Sequence, residues 1–155
     1  MTAVVMPEIA PTRFGARELA LELFERLNLR DARGALALFD PAAPFEIVPA
    51  GLAGLTGNEG RSFLESLVAA FPDLLLQVRA LMGTAALAVA EIKLEGTQAR
   101  DFLGVLNQEK HVDVDQAWMV WSAGGRISGL RAYGCQNQLY RRLAVKRLDH
   151  ISILG

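Results

Sequence analysis

This sequence has little cysteine and no long apolar run. Of its 155 residues one is a cysteine, Cys135, which excludes an internal disulfide and a thiolate cluster. The longest apolar run, around Ala85–Ala90, is far shorter than the roughly 20 residues of a membrane helix. Residues 1–11 lack the basic start and long apolar stretch of a secretory signal. We therefore expect a cytoplasmic protein that makes no membrane contact.

A charge of one sign is also lacking. Sixteen Lys and Arg face seventeen Asp and Glu, and the net charge is -1. Such a balance predicts no broad basic surface, and therefore no nucleic-acid partner.

Apolar residues, in contrast, are plentiful. They make up 52% of the chain, and the mean hydropathy is +0.24. This predicts a large core, together with further apolar surface that lines a cavity or meets a partner subunit. The length suits one domain, expected at 12–148 between a flexible arm at 1–11 and a tail at 149–155.

Helical spacing dominates the first half of the chain. Leu19, Leu23 and Leu27 repeat at intervals of four residues, which predicts an amphipathic helix. The elements predicted in this half are a helix from an N-cap at Thr12, a helix Ala32–Phe39, a strand Phe45–Val48, a loop Pro49–Asn58 and a helix Glu59–Phe71.

From Leu74 onward the hydrophobic period falls to two, which predicts strands. The predicted strands are Leu74–Met82, Ala85–Glu95, Val112–Trp121 and Arg126–Cys135, with a last helix at Gln136–Leu148. Gly124-Gly125 predicts a two-residue hairpin between the last two strands. The expected fold class is α+β, with a cone-shaped, curved antiparallel sheet wrapped around the N-terminal helices and enclosing an apolar pocket.

Several short motifs in the chain occur in a characteristic order. They are Phe71-Pro72-Asp73-Leu74, Gly96-Thr97-Gln98 followed by Asp101-Phe102-Leu103-Gly104-Val105, Gly125-Arg126-Ile127, and Arg131-Ala132-Tyr133. In these motifs the sequence resembles the SnoaL-like polyketide cyclase family, of the nuclear-transport-factor-two-like superfamily. The resemblance implies a cone with a mostly apolar pocket, a dimer formed through the outer sheet face, and no metal or organic cofactor.

The resemblance also implies which positions carry the chemistry. Family members close polyketide rings with an aspartate near the end of the last strand and a histidine on the preceding strand, acting as an acid–base pair. This sequence has Ala132 at the aspartate position and Trp118 at the histidine position. Neither side chain accepts a proton at neutral pH. The resemblance therefore predicts the cone-shaped fold and its pocket, without the catalytic pair that family members have.

Glu91 and Asp115 are the candidate catalytic bases that remain. Burial of Glu91 among its apolar neighbours would raise its pKa, but strand alternation favours an outward row with Lys93 and Glu95. Asp115 shares a strand face with His111 and Asp113. These three could act as an acid–base set or bind a metal, but alternation predicts a solvated face and a spacing of about 6.5–7 Å suits one ion poorly. No metal site is predicted.

Four residues are predicted to bind a ligand: Gln116, Trp118, Arg131 and Tyr133. If the even-numbered face of the third predicted strand looks inward, Gln116 and Trp118 meet in the pocket and Tyr133 adds a hydrogen bond. The opposite face carries Met119 and Trp121, which are predicted to contact a second copy in a homodimer.

Three functions remain open on the sequence. The first is a cyclase or isomerase acting on a hydrophobic polyketide- or steroid-like carbonyl compound. The second is a non-catalytic module that binds a small hydrophobic molecule or serves for dimerisation. The third is an epoxide hydrolase that holds water between a carboxylate and Arg131. Whether a carboxylate points into the pocket discriminates between the first and second.

Overall fold

A computed structural model describes residues 14–135 of the chain. Its helices are α1 (Ala16–Asn28), α2 (Ala32–Leu36) and α3 (Asn58–Ala70). Its strands are β1 (Phe45–Ile47), β2 (Leu52–Leu55), β3 (Leu75–Gly83), β4 (Leu87–Thr97), β5 (His111–Ala123) and β6 (Arg126–Gly134). The predicted arm, the last predicted helix and the tail lie outside the described residues.

Helix α1 packs its leucine stripe into the core, as the spacing predicts. Leu19, Leu23 and Leu27 are all buried. The helix begins at Ala16, later than predicted, and the proposed cap Thr12 lies outside the described residues. At its other end the Asn28 side chain fixes the helix to β3, because Nδ2 donates to the carbonyl of Leu76 (3.1 Å) and Oδ1 accepts from the Leu76 N–H (2.7 Å).

The six strands form one sheet in the order β2-β1-β6-β5-β4-β3. Strands β3 to β6 form the predicted antiparallel meander, and the Gly124-Gly125 hairpin is confirmed, with φ of 63° and 79° at the two glycines. Strand β1 adds to β6 in parallel, which makes the sheet mixed.

Two local predictions are wrong. The segment predicted as a loop at Pro49–Asn58 contains strand β2, because pairing with β1 gives its backbone partners that no local pattern reveals. The second helix ends at Leu36 rather than at Phe39, since Phe39 forms a bridge to Ile127 of β6.

The inner face of the sheet faces the helices. Along β5 the buried residues are even-numbered: Val112, Val114, Trp118 and Val120. The ring of Trp118 meets Phe24 of α1 edge-to-face, with centroids 5.4 Å apart. A curved sheet around helices confirms the expected α+β cone. No helix among residues 14–135 has the length and apolar character to cross a membrane.

Candidate functional site

An apolar cavity of about 30 Å³ lies between the inner face of the sheet, helix α3 and the loop that joins β4 to β5. Its lining comprises Ile47, Pro49, Phe63, Leu67, Phe71, Leu94, Phe102, Leu103, Gln116, Trp118 and Ala132. A space of this size holds about one water molecule. The described lining contains no carboxylate, lysine, arginine or histidine, so none of these residues can exchange a proton with a bound molecule.

Gln116 supplies the polar character of the cavity. The indole Nε1 of Trp118 donates to Gln116 Oε1 over 2.8 Å, and this bond fixes the orientation of the carboxamide. Its Nε2 has no acceptor among residues 14–135 and lies close to Gly134, where an added Cβ would stand 3.4 Å from it. The half-buried amide therefore offers an N–H donor to whatever occupies the cavity. The inward placement of Gln116 and Trp118 agrees with the prediction from alternation.

The two positions that the family resemblance singled out are direct neighbours. Trp118 of β5 and Ala132 of β6 are register partners, and both side chains line the cavity. The positions expected to hold an acid–base pair thus face the interior, and here they carry an indole and a methyl group. The indole occupies volume that a histidine would leave open.

The β4–β5 loop contributes two side chains to the lining, Phe102 and Leu103. Phe102 packs edge-to-face on Phe71, with ring centroids 5.4 Å apart. Leu103 has a φ of 51°, a left-handed conformation that is uncommon outside glycine. The sequence motif contains these residues, but sequence reasoning did not identify them as cavity lining. Their apolar pair between Asp101 and Gly104 was the available signal.

Gln98 holds this loop from inside. Its side chain is 1% exposed, and Nε2 donates to the carbonyls of Arg100 and Val105 over 3.1 Å each. Its Oε1 is buried and accepts no hydrogen bond within the described part of the chain. At the base of the loop the N–H of Thr97 donates to Asp73 Oδ1 over 2.7 Å. This bond lowers the pKa of the Asp73 carboxyl because it stabilises the ionised form.

Glu91 and Asp115, the candidate bases, lie on the outer face of the sheet. Both are exposed, Glu91 opposite Ala117 and Asp115 opposite Lys93. This is the orientation that strand alternation favours: along β4 and β5 the opposite side buries Ile92 and Trp118, so neither candidate base reaches the cavity. On these strands the outward alternative holds.

Arg131 and Tyr133 also lie outside, so their predicted place in the pocket is wrong. Arg131 Nε contacts Glu46 Oε1 at 2.8 Å, and its Nη1 donates to Tyr133 Oη at 3.2 Å. These two contacts raise the pKa of Arg131. The cause of the misplacement is a bulge: β5 pairs Trp121 with Gly129 but Ser122 with Ile127, which leaves an extra residue in β6 and reverses its alternation.

Two of the three polar residues at the start of β5, Asp113 and His111, bind neighbouring side chains on the outer face. Lys93 Nζ lies 3.1 Å from Asp113 Oδ2, and His111 Nδ1 lies 3.2 Å from Thr97 Oγ1. Within residues 14–135 no group of three or more His, Cys, Asp or Glu is placed to hold a metal ion.

Solved structures with a similar fold include a candidate polyketide cyclase from Pseudomonas putida KT2440. It is 19% identical, with a TM-score of 0.76, and the match covers 84% of this chain and 98% of that one. A candidate SnoaL-like polyketide cyclase from Jannaschia sp. CCS1 is 21% identical, with a TM-score of 0.72 and coverage of 82% and 90%. This chain has the SnoaL-like fold.

A further structure with the SnoaL-like fold is SalBIII, an epoxide hydrolase/cyclase-like enzyme in pyran ring formation in the polyether salinomycin. It is 17% identical to this chain, with a TM-score of 0.67 and coverage of 79% and 92%. No protein-family model and no curated protein sequence matches the chain. At these identities the likeness establishes the fold alone, and the chemistry of this chain depends on the residues of its own cavity.

Proposed function

We propose that this protein uses its SnoaL-like cavity to bind a small apolar molecule that carries a carbonyl group, without a general base from the cavity lining. The observation that carries this proposal is the Gln116 carboxamide, whose Nε2 donor lies in an otherwise apolar lining. A carbonyl oxygen is the acceptor that such a donor would orient, while Trp118 and the phenylalanine rings contact a planar apolar body.

Binding requires the cavity to open. A space of about 30 Å³ is far smaller than a bicyclic ligand, so side chains of the lining must move. The β4–β5 loop is the part best suited to this, because Phe102 and Leu103 reach the cavity from a connection rather than from the sheet. Displacing them would enlarge the cavity that Gln116 lines.

The proposal predicts a measurable coupling between Gln116 and the carbonyl group of a ligand. The probes are 1-tetralone, a bicyclic aromatic ketone, and tetralin, which lacks the carbonyl, each titrated calorimetrically. Gln116→Leu should weaken 1-tetralone binding about 3–10-fold, since one hydrogen bond contributes about 0.5–1.5 kcal/mol, and should leave tetralin binding unchanged.

Two further variants control this test. Gln77→Leu removes an exposed glutamine from the outer side of β3 and should change neither affinity. Gln116→Glu keeps an acceptor for Trp118 Nε1 but removes the donor, so it should weaken 1-tetralone at least as much as Gln116→Leu. If neither probe binds the wild type up to its solubility limit, the interior is simply packed and the proposal is wrong.

A cyclase or isomerase acting on a hydrophobic polyketide- or steroid-like carbonyl compound is the second candidate. It is favoured by the fold shared with candidate polyketide cyclases and by the same donor, since an N–H aimed at a carbonyl stabilises a developing oxyanion. The proton acceptor would have to be the substrate itself or a residue other than those of the described lining. An epoxide hydrolase is weaker, because Arg131 binds Glu46 on the outer face.

We also propose that the outer face of the sheet pairs with a second copy of the chain. Met82, Val89 and Met119 are register neighbours across β3, β4 and β5, with Trp121 two residues beyond Met119 on β5. These four residues form the outer apolar patch, in which Met82 is 65% exposed. An apolar row on an open sheet face is stabilised when another surface covers it. A homodimer through this face is also what the family resemblance implies.

Replacing Met119 by Asp should abolish this association. A charge at the centre of the outer apolar patch would lose its water on dimerisation, which costs several kcal/mol. Sedimentation equilibrium should give twice the 16.8 kDa chain mass for the wild type and 16.8 kDa for the variant. The control Leu106→Asp, at an exposed loop leucine, should remain dimeric. A wild type that is monomeric at micromolar concentration contradicts this proposal.

A further inference from the structure

A second and larger cleft, of about 620 Å³, shares no lining residue with the apolar cavity. It lies between α2, the segment 37–45, the start of α3 and the turn into β6. The volume of the cleft falls within the usual range of small-molecule sites, about 300–1,000 Å³. The volume of the apolar cavity is about a tenth of the lower end of that range. The cleft is therefore the roomier candidate site in the described part of the chain.

Three arginines converge on this cleft from three separate elements. Arg33 comes from α2, Arg61 from the first turns of α3, and Arg126 from the start of β6. All three are exposed, and none has an ion-pair or side-chain hydrogen-bond partner among residues 14–135. Their guanidinium donors are thus available to an incoming anion, and guanidinium groups match carboxylate and phosphate oxygens in pairs.

Two acidic residues share the lining, Asp40 and Glu65, and they leave it with a net positive charge. Asp40 is engaged locally, because its Oδ1 accepts the N–H of Ala42 over 2.9 Å. Glu65 lies one turn after Arg61 on α3, at the spacing of a helix ion pair, yet forms none. The acids therefore offset part of the positive charge, but neither forms an ion pair that would occupy an arginine of the cleft.

The floor of the cleft is apolar and aromatic. The rings of Phe39 and Phe45 stack with centroids 4.5 Å apart, and both residues are almost fully buried. Gly60 of α3 lies directly on Phe45, where an added Cβ would come within 3.1 Å of the ring. This packing brings the start of α3 onto the floor, with Gly57 and Asn58 in the lining and no side-chain cap. The partial positive charge of that helix end adds to the field of the arginines.

We propose that this cleft binds a small organic anion, a phosphate or carboxylate attached to an apolar ring. The arginines hold the anionic group, and the apolar lining residues that are not buried, Leu36, Ala37 and Pro41, contact the ring. This site is independent of the ligand proposed for the apolar cavity, since the two share no residue.

The test is calorimetric titration with phenyl phosphate, benzoate, inorganic phosphate and phenol. Phenyl phosphate or benzoate should bind, whichever is tighter identifying the anionic group, and inorganic phosphate and phenol should each bind at least tenfold more weakly. Arg61→Ala and Arg126→Ala should each reduce the affinity of the tighter ligand about tenfold, the usual effect of losing one charged hydrogen bond. Arg79→Ala, which removes an exposed arginine of β3, should leave it unchanged.

Three results would overturn the proposal. Equal binding of phenyl phosphate and inorganic phosphate would mean that the apolar lining of the cleft does not contact the ring. Equal losses in Arg79→Ala and Arg61→Ala would mean that the ligand responds to overall charge. If neither aromatic anion binds at millimolar concentration in low salt, the cleft does not bind this class of ligand. Variants are compared only when their thermal midpoints match that of the wild type, and Arg61→Gln serves in place of an unstable Arg61→Ala.

Discussion

Trp118→Ala is expected to lower the free energy of unfolding by about 3–5 kcal/mol, the usual cost of deleting a large buried ring. The indole is 2% exposed, touches Phe24 edge-to-face, and stands over Ala132, whose methyl group cannot fill the space it leaves. Denaturant unfolding followed by circular dichroism gives the difference. A loss of that size would show that the Trp118 ring is packed in the core.

The space left by this substitution has the shape of an indole ring, which supplies a second readout. Added indole, at 100 times its dissociation constant for the Trp118→Ala variant, should raise the stability of that variant by about 2.7 kcal/mol. It should stabilise the wild type less, because there the Trp118 ring already fills the space. Leu29→Ala, at a leucine that is 65% exposed, is the matched control and should change stability by less than about 0.5 kcal/mol. A small loss in Trp118→Ala, or indole stabilising the wild type as much as the variant, would contradict the burial of the Trp118 ring.

Ala132→Asp should destabilise the protein by about 3–5 kcal/mol at pH 7, because it places an unpaired charge in an apolar cavity. Ala132 is 1% exposed, and its register partner is the indole of Trp118. Burial raises the pKa of the introduced carboxyl above its value near 3.9 in the unfolded chain. Between these two pKa values the folded state holds a proton that the unfolded state has released. Stability relative to the wild type therefore falls as the pH rises above about 4.

Urea unfolding of both proteins between pH 3 and pH 7 measures this dependence. Near pH 3 the carboxyl is neutral in both states, so only the cost of its volume remains, and the gap should be smallest there. Ala123→Asp, at an exposed alanine that ends β5, should stay within about 0.5 kcal/mol of the wild type across the range. A gap that does not change with pH would mean that the carboxylate reaches water and that position 132 is not part of a closed cavity.

Much of the fold around the cavity was predictable from short-range patterns in the sequence. The leucine spacing of α1, the alternation along β4 and β5, and the Gly124-Gly125 turn are short-range features, and each determines its own geometry. Alternation also placed Gln116 and Trp118 inside and favoured an outward Glu91 and Asp115, because a strand that buries one face leaves few other choices.

The tertiary structure decided what depends on contacts between distant segments. The bulge in β6 reversed its alternation and moved Arg131 and Tyr133 outside, and β2 formed because β1 was there to pair with it. The cavity volume is the small difference between an enclosed space and the side chains that fill it, so it follows from packing distances that no sequence pattern carries. The meeting of Arg33, Arg61 and Arg126 at one cleft has the same origin, since 93 positions separate the first from the last and only the fold brings them together.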